Sequence, residues 1–289
     1  MAADEVTTAR RWFAEELRHI ARVQSPAVFE AFATVPREHF AGPGPWRILS
    51  SMRMADYWTT EDADPRHLYH DVLIAIDESR RLNNGQPGLW AMLYDDLALA
   101  RGAHVVHVGV GTGYYSAILA EIVGPTGQVT AVEIDADLAA RARTNLALAW
   151  PQATVVTANG FTFHPDRAAD AIVVNAGVSH LSLAWLDALA PDNGRLLVPL
   201  TNANRFGGFL LITRRAGETH RYPVRFASRT GIISCVGGRD AEAEAKLTAA
   251  FARSSIETVR SLRRPPEQPD DTCWLAGDGW WLSTAPVLP

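Results

Sequence analysis

The residues best placed to do chemistry stand in a glycine-rich turn and at an acid downstream of it. The apolar run Val105-Val106-His107-Val108 leads into Gly109-Val110-Gly111-Thr112-Gly113-Tyr114, and Val132-Glu133-Ile134-Asp135 follows. Glycines after a strand let the backbone approach a bound ligand, because no Cβ intervenes and positive φ costs little. Glu133 lies 20 residues past Gly113, at the end of the next β-branched run, where a carboxylate can accept both hydroxyl hydrogens of a ribose. The spacing then separates two ligands. A dinucleotide fingerprint runs G-x-G-x-x-G, whereas this turn runs G-x-G-x-G and puts Tyr114 where that fingerprint has glycine. The pattern fits an adenosine ligand without a pyrophosphate, S-adenosylmethionine (SAM). The blander reading is a turn that only tightens strand-to-helix packing.

The elements that must position these groups follow from hydrophobic patterning. Candidate strands are Val105–Val108, Val129–Ile134, Thr154–Thr157, Ala171–Val174, Leu196–Val198 and Phe209–Thr213. Helical stretches lie between them at Tyr114–Val123, Asp137–Ala149, with Asp135 as N-cap, and His180–Ala190. The order βαβαβ, then β-α-β-β, predicts an α/β, doubly wound, mostly parallel sheet. Before this core, Phe13, Leu17 and Ile20 mark one helical face and Val28, Phe32 and Val35 another, up to the breaker Ala41-Gly42-Pro43-Gly44-Pro45. After it, Ala241 to Arg263 reads as a helix with a Glu242/Lys246 pair at i,i+4. The 289 residues divide into a helical region 1–80, a core 81–215 and a C-terminal extension 216–289 expected to pack on the core.

Composition bounds the partners. Apolar residues make up 47% and charged residues 20%, which excludes disordered and fibrous classes. A net charge of −5 argues against a broad nucleic-acid or anionic-membrane surface, and the Arg pairs at 10/11, 80/81, 214/215 and 263/264 read as dispersed, solvated charge. Two cysteines, Cys235 and Cys273, make no disulfide framework or metal spacing, so a reducing cytoplasm is the expected compartment. The charged N-terminus has no signal-peptide run, and the apolar window Val105–Gly124 is broken by four glycines.

Several segments together carry a family resemblance. Val35-Pro36-Arg37-Glu38-His39-Phe40 resembles the V-P-R-E-x-F of protein-L-isoaspartate O-methyltransferases. The glycine turn resembles their G-T-G-S-G-Y, Val132-Glu133 their V-E, Asp170–Val174 their D-A-I-I-V, and Leu189–Pro199 their L-x-P-G-G-R-L-V-I-P. The likeness covers about residues 23–215. It implies a class I SAM-dependent methyltransferase fold (Rossmann-like, with a seven-stranded sheet and a helical N-terminal cap). It also implies cofactor contacts from His107, Gly109, Gly111, Gly113, Tyr114, Glu133, Ile134, Asn159, Gly160, Phe161 and Asn175. Two of these depart from the family: His107 stands for the first-strand acid of V-L-E-I-G, and Asn159 for the acid of G-D-G. The active-site segment, approximately G-x-G-Q-T-I-S-Q-P-Y-M in the family, runs Arg80 to Trp90 here. It keeps Gln86-Pro87 but has Asn83 for the threonine, Gly85 for the serine and Gly88 for the tyrosine. Asn83, Gly85, Gln86, Pro87 and Trp90 are the implied substrate contacts, with Asn83, Asn84 and Gln86 as positioning groups.

The expected acceptor is a carboxylate of a peptide, protein or small molecule, isoaspartyl residues being the family's own. A carboxylate is already ionised at neutral pH, so no catalytic dyad is required; a phenol or alcohol acceptor would need a base such as His67, His70, His107 or His180. His67-x-x-His70 lacks a visible third metal ligand, and no metal is expected. Trp46, Trp58, Trp90, Trp274, Trp280 and Trp281 either line a cleft or pack the core. Two alternatives stand beside the leading reading: a specialised methyltransferase of a natural-product peptide or small molecule, and a non-catalytic SAM-fold adaptor.

Overall fold

The computed structural model describes residues 2–53, 56–147 and 149–287; Met1, Met54, Ala55, Leu288, Pro289 and, from the expected helix Asp137–Ala149, Leu148 lie outside the described residues. The chain forms two compact units, residues 1–102 with 110–156 and residues 103–109 with 157–289. These units do not follow chain order.

The first unit opens with α1 (Ala2–Ile20), α2 (Pro26–Thr34) and α3 (Arg37–Ala41). Asp4 and Glu5 in the first turn of α1 and Arg18 and His19 in its last complement the helix dipole. The Ser25 hydroxyl accepts the Val28 N–H, and Pro26 starts α2 where no N–H is needed. Phe13, Leu17, Val28, Phe32 and Val35 are buried as their spacing predicts. Ile20 is not: it ends α1, next to a turn at Arg22 with φ of 54°, and is 55% exposed. Arg37, buried on α3, donates to the carbonyls of Leu68, His70 (2.9 Å) and Val72 (2.7 Å), and its guanidinium lies over the rings of Phe13 and Tyr114. The V-P-R-E segment thereby fixes the backbone around Asp71.

Beyond its helices, the N-terminal region carries a four-stranded antiparallel sheet that hydrophobic periodicity did not show. It consists of β1 (Arg47–Ser50), β2 (Trp58–Thr59), β3 (Val72–Asp77) and β4 (Leu82–Asn83), in the order β2-β1-β3-β4. Helix α4 (Pro87–Leu97) follows it. After the strand β5 (His104–Val108), which belongs to the second unit, the first unit continues with α5 (Tyr114–Val123), β6 (Gln128–Glu133), α6 (Ala136–Leu146) and β7 (Ala153–Thr157). Helix α5 is buried on nearly every side, which its all-round apolar sequence requires. Asp135 caps α6, accepting from the N–H groups of Asp137 and Leu138, both at 3.0 Å.

The second unit adds β8 (Ala171–Val174), α7 (Leu183–Ala188), β9 (Gly194–Thr201), β10 (Phe206–Arg214), β11 (Arg221–Gly231), α8 (Ala241–Arg253), β12 (Ser261–Arg263), β13 (Cys273–Gly277) and β14 (Trp280–Ser283). Its strands run β13-β14-β12-β11-β10-β9-β8-β5, parallel through β5, β8 and β9 and antiparallel from β10 outward. The seven strands β5–β11, alternating with α5–α7, are those of a doubly wound α/β fold. The expected helix Ala241–Arg263 stops early. Ser254 leaves the helical region, Ser255 caps a short 3₁₀ turn, and the β-branched residues beyond it lead into β12. The Glu242–Lys246 pair forms at 2.6 Å.

Trp46, Trp90, Trp274, Trp280 and Trp281 are buried, so core packing accounts for all of the candidate cleft tryptophans except Trp58. The arginine pairs are less solvated than expected: Arg10 donates to Tyr69 and Glu38, and Arg263 lies over the Trp281 ring. Among the described residues, no helix is long and apolar enough to cross a membrane.

Candidate cofactor and acceptor site

Glu133, the last residue of β6, is buried, and three backbone donors hold its carboxylate. Oε2 accepts the Gly111 N–H at 2.8 Å, and Oε1 accepts those of Ile134 and Asp135 at 3.0 and 3.1 Å. Gly111 reaches it with φ of +57°, a conformation that a side chain would strain. The glycine turn and its acid are therefore one structure, joined by a charge-assisted hydrogen bond. A carboxylate offers about four acceptor sites, and three are taken, so capacity remains at Oε2 for a hydroxyl donor. Ile134, the next residue, is 43% exposed and available to lie against a flat ligand. Gly113 opens α5. Tyr114 differs from expectation: its ring is buried against Phe32, Phe40 and Tyr115, so only its backbone is left to face a ligand.

The second unit holds the other expected cofactor residues. His107 is fully buried in β5, and burial pushes its pKa down to about 3. It is neutral and does not reproduce the family's acid. A Cβ on Gly109 would lie 3.3 Å from the Asn175 carbonyl oxygen, and one on Gly160 would strike Val108. The Asn175 N–H donates to Val108 at 2.8 Å. Asn159 Oδ1 accepts the Phe161 N–H at 3.0 Å, and the Phe161 ring packs against Trp185.

The acceptor segment is read differently once its neighbours are visible. A Cβ on Gly85, which has φ of +77°, would sit 2.6 Å from Trp90 Nε1. The indole thus fills the space beside Gly85, stacked among Tyr94 and Tyr115, and is 1% exposed. Trp90 is a packing residue and not a wall of an open site. A Cβ on Gly88 would stand 3.0 Å from the Asp71 carboxylate. Asp71 accepts the Gly88 N–H and the Gln86 Nε2, both at 2.7 Å, at the N-terminus of α4, where a negative charge is favoured. Pro87 is the first residue of α4. Asn83 Oδ1 accepts the Gly85 N–H at 2.9 Å, and Asn84 Oδ1 accepts the Ile74 N–H at 2.9 Å. Asn84 is therefore occupied in holding β3, while Asn83 keeps its amide nitrogen toward the hydroxyl of Tyr57, whose pKa burial raises.

Sequence reasoning missed Tyr57, Asp71, Arg80 and Tyr115. The Tyr115 hydroxyl donates to the Gly85 carbonyl at 3.1 Å, and Arg80 pairs with Asp135 at 2.7 Å. None of them lies in a signal-bearing spacing; Asp71 stands 15 residues before the glutamine it holds.

A glycine turn bonded to an acid that ends the second strand of a doubly wound α/β fold defines the class I SAM-dependent methyltransferases. Residues 9–225 match the family model of protein-L-isoaspartate(D-aspartate) O-methyltransferase, and the chain belongs to that family. It is 32% identical over 213 residues to the protein-L-isoaspartate O-methyltransferase of Gloeobacter violaceus, a match covering 72% of this chain and 92% of the relative. Among solved structures, a protein-L-isoaspartate O-methyltransferase superposes with a TM-score of 0.63 at 23% identity, over 83% of this chain and 69% of the other. A putative Plasmodium falciparum enzyme of the same name, in complex with S-adenosyl-L-homocysteine (SAH), gives 0.59 at 18% identity, over 78% and 97%. Both structures share the fold. Residues beyond 225, including α8 and β12–β14, lie outside the family match.

Proposed function

We propose that this chain transfers the methyl group of SAM to a carboxylate of a peptide or protein, with the isoaspartyl residue named for its relatives as the first acceptor to test. The observation that carries the reading is the buried Glu133 carboxylate, preset by the Gly111 N–H at the end of β6. SAM fits this donor set. Its ribose offers hydroxyls to an acid whose Oε2 keeps one acceptor site to spare, and it carries no pyrophosphate for a G-x-G-x-x-G turn to cradle. Gly111 and Gly113 give backbone access and Ile134 an apolar face.

SAM supplies a methyl group on a cationic sulfur, open to in-line displacement. The acceptor carboxylate is ionised at pH 7 with a pKa near 4, so no proton has to be removed. The chain's work is orientation, worth several kcal/mol when the reacting atoms are held about 3–3.5 Å apart. Asn83, whose oxygen is committed to Gly85, presents Nδ2 as a donor to an acceptor anion, with the Tyr57 hydroxyl beside it. Gln86 is fixed through its nitrogen by Asp71, which leaves its oxygen to accept a backbone N–H of a peptide. Residues 1–80 act as the substrate-covering part, 81–215 as the methyltransferase core, and 216–289 as an extension that lengthens the sheet.

Incubation with methyl-labelled SAM and an isoaspartyl peptide tests this. Base-labile methyl ester on that peptide, and none on the aspartyl control, is the expected result. One observation favours a second reading with a different acceptor, a natural-product peptide or small-molecule carboxylate: the spaces beside Gly85 and Gly88 are filled from within by Trp90 and Asp71. SAH binding without ester on the isoaspartyl peptide, but with ester on another carboxylate, would select it.

A further inference from the structure

The turn between β3 and β4 ties the acceptor segment to the acid that ends β6. Where the family's segment has its two glycines, this chain has Ser79 and Arg81, with Arg80 between them. Arg81 adopts φ of 58°, a left-handed conformation that costs a non-glycine residue about 1 kcal/mol. The strain is held by Asp77, whose Oδ1 accepts the N–H groups of Ser79 (3.0 Å) and Arg80 (3.3 Å) and the Ser79 hydroxyl (2.6 Å). The turn is anchored on one side by Arg47, which pairs with Glu78 at 2.8 and 3.1 Å. On the other side, Arg80 pairs with Asp135 at 2.7 Å, two residues past Glu133. At the base of the hairpin, Ile76 Cδ1 lies 3.4 Å from where a Cβ on Gly111 would stand. The same hairpin runs on through Asn83 to Gln86. One short element thus touches the glycine turn, pairs beside the acid and carries the acceptor residues.

We propose that Arg80 is a cofactor clasp: a positioning residue that, by pairing with Asp135, closes the β3–β4 hairpin over the ribose end of the cofactor site and slows cofactor exchange. The inference rests on the SAM reading of Glu133. Glu133 is only 7% exposed, and the hairpin touches two of the residues that hold its carboxylate, Gly111 through Ile76 and Asp135 through Arg80. The pair that must break is half-exposed at Arg80, and such pairs are worth little enough to open readily. Asp135 also caps α6, so the clasp closes on a rigid helix end.

The test is SAH binding to the full-length chain, by stopped-flow and calorimetry, in the wild type, R80Q, R80K, D135N and R80Q/D135N. Asparagine is as good an N-cap as aspartate, so D135N removes the charge and keeps the helix. R80Q and D135N should each speed SAH dissociation roughly 3- to 10-fold, the scale of one partly exposed ion pair, and the double variant should be no faster than the faster single. R80K should recover part of the effect. Raising salt from about 0.05 to 0.5 M should speed dissociation from the wild type and not from R80Q. Hydrogen exchange should show SAH-dependent protection of residues 76–90 in the wild type and its loss in R80Q, with the melting temperature of the ligand-free protein lowered by no more than about 2–5 °C. Equal dissociation rates in wild type and R80Q at low salt, or effects that multiply in the double variant, would overturn the clasp and leave the SAM reading intact. No SAH binding by the wild type would overturn both.

Discussion

Restoring the family's serine tests whether the acceptor segment has been repacked or merely stripped of a hydroxyl. In Gly85→Ser, the new Cβ meets two obstacles. The backbone sits at φ of +77°, which costs a side-chain-bearing residue about 1–2 kcal/mol. The Cβ would also lie 2.6 Å from Trp90 Nε1, 3.1 Å from Trp90 Cδ1 and 3.3 Å from Tyr115 Cε2, inside van der Waals contact. The indole is buried and cannot swing into solvent, so relief requires an off-rotamer ring or a backbone shift, about 1–3 kcal/mol by analogy with overpacked cores. The expected total is about 2–5 kcal/mol, a fall in melting temperature of roughly 5–15 °C for a chain of this size. Trp90→Val alone leaves a cavity and costs about 3 kcal/mol or more. The two changes must not add. With the indole gone, the serine should cost only the backbone contribution, giving a favourable coupling of about 1–3 kcal/mol. Thermal unfolding of the four proteins, followed by far-UV circular dichroism, measures the cycle. A serine that costs the same with and without Trp90 would refute the exchange of volume between these positions.

Other consequences are checked more briefly. Glu133→Gln keeps the shape and removes the charge, and should weaken SAH binding by about 1.5–3 kcal/mol, a roughly 10- to 150-fold rise in Kd by calorimetry; an unchanged Kd rejects the ribose assignment. The His107 pKa, about 3 when folded and near 6.5 when unfolded, means that the unfolded chain takes up a proton the folded chain resists, so stability is full above about pH 6.5 and falls toward pH 3. About 2 kcal/mol should be lost between pH 7 and 5, and urea titrations of His107→Gln should show a flatter slope across that window; an identical slope contradicts the neutral, buried imidazole. Asp71→Asn leaves one of two donors, the Gly88 N–H or the Gln86 amide, without an acceptor and should cost about 1–3 kcal/mol. If Gln86 is oriented by that carboxylate, Gln86→Ala in the Asp71→Asn background should lower kcat/KM no further.

What could be read from the chain alone divides along a physical line. Helix α5 appears with the bounds expected for it, and β5 to β10 lie where β-branched runs were found, because each carries its own local signal and is cut off by glycine, proline or an N-capping aspartate. The elements that were missed have no such autonomy. Strands β1, β2 and β4 are short, and β3 is held by the guanidinium of Arg37 and the amide of Asn84. In β12–β14 the buried tryptophans pack faces that only the folded sheet creates. The same line runs through the candidate site. Glu133 and its glycines were legible because backbone approach and ribose binding dictate both residue type and spacing. The acceptor segment is less legible because a sequence is compared with a family one position at a time, whereas volume and charge are exchanged between positions. Gly85 and Gly88 look like two lost side chains, yet beside them stand an indole and a carboxylate. A glycine that replaces a functional residue therefore leaves open whether a site has been vacated or rebuilt. Trp90 is buried beside Gly85, and Asp71 holds both Gln86 and the Gly88 N–H, which makes the rebuilt segment the physically economical interpretation.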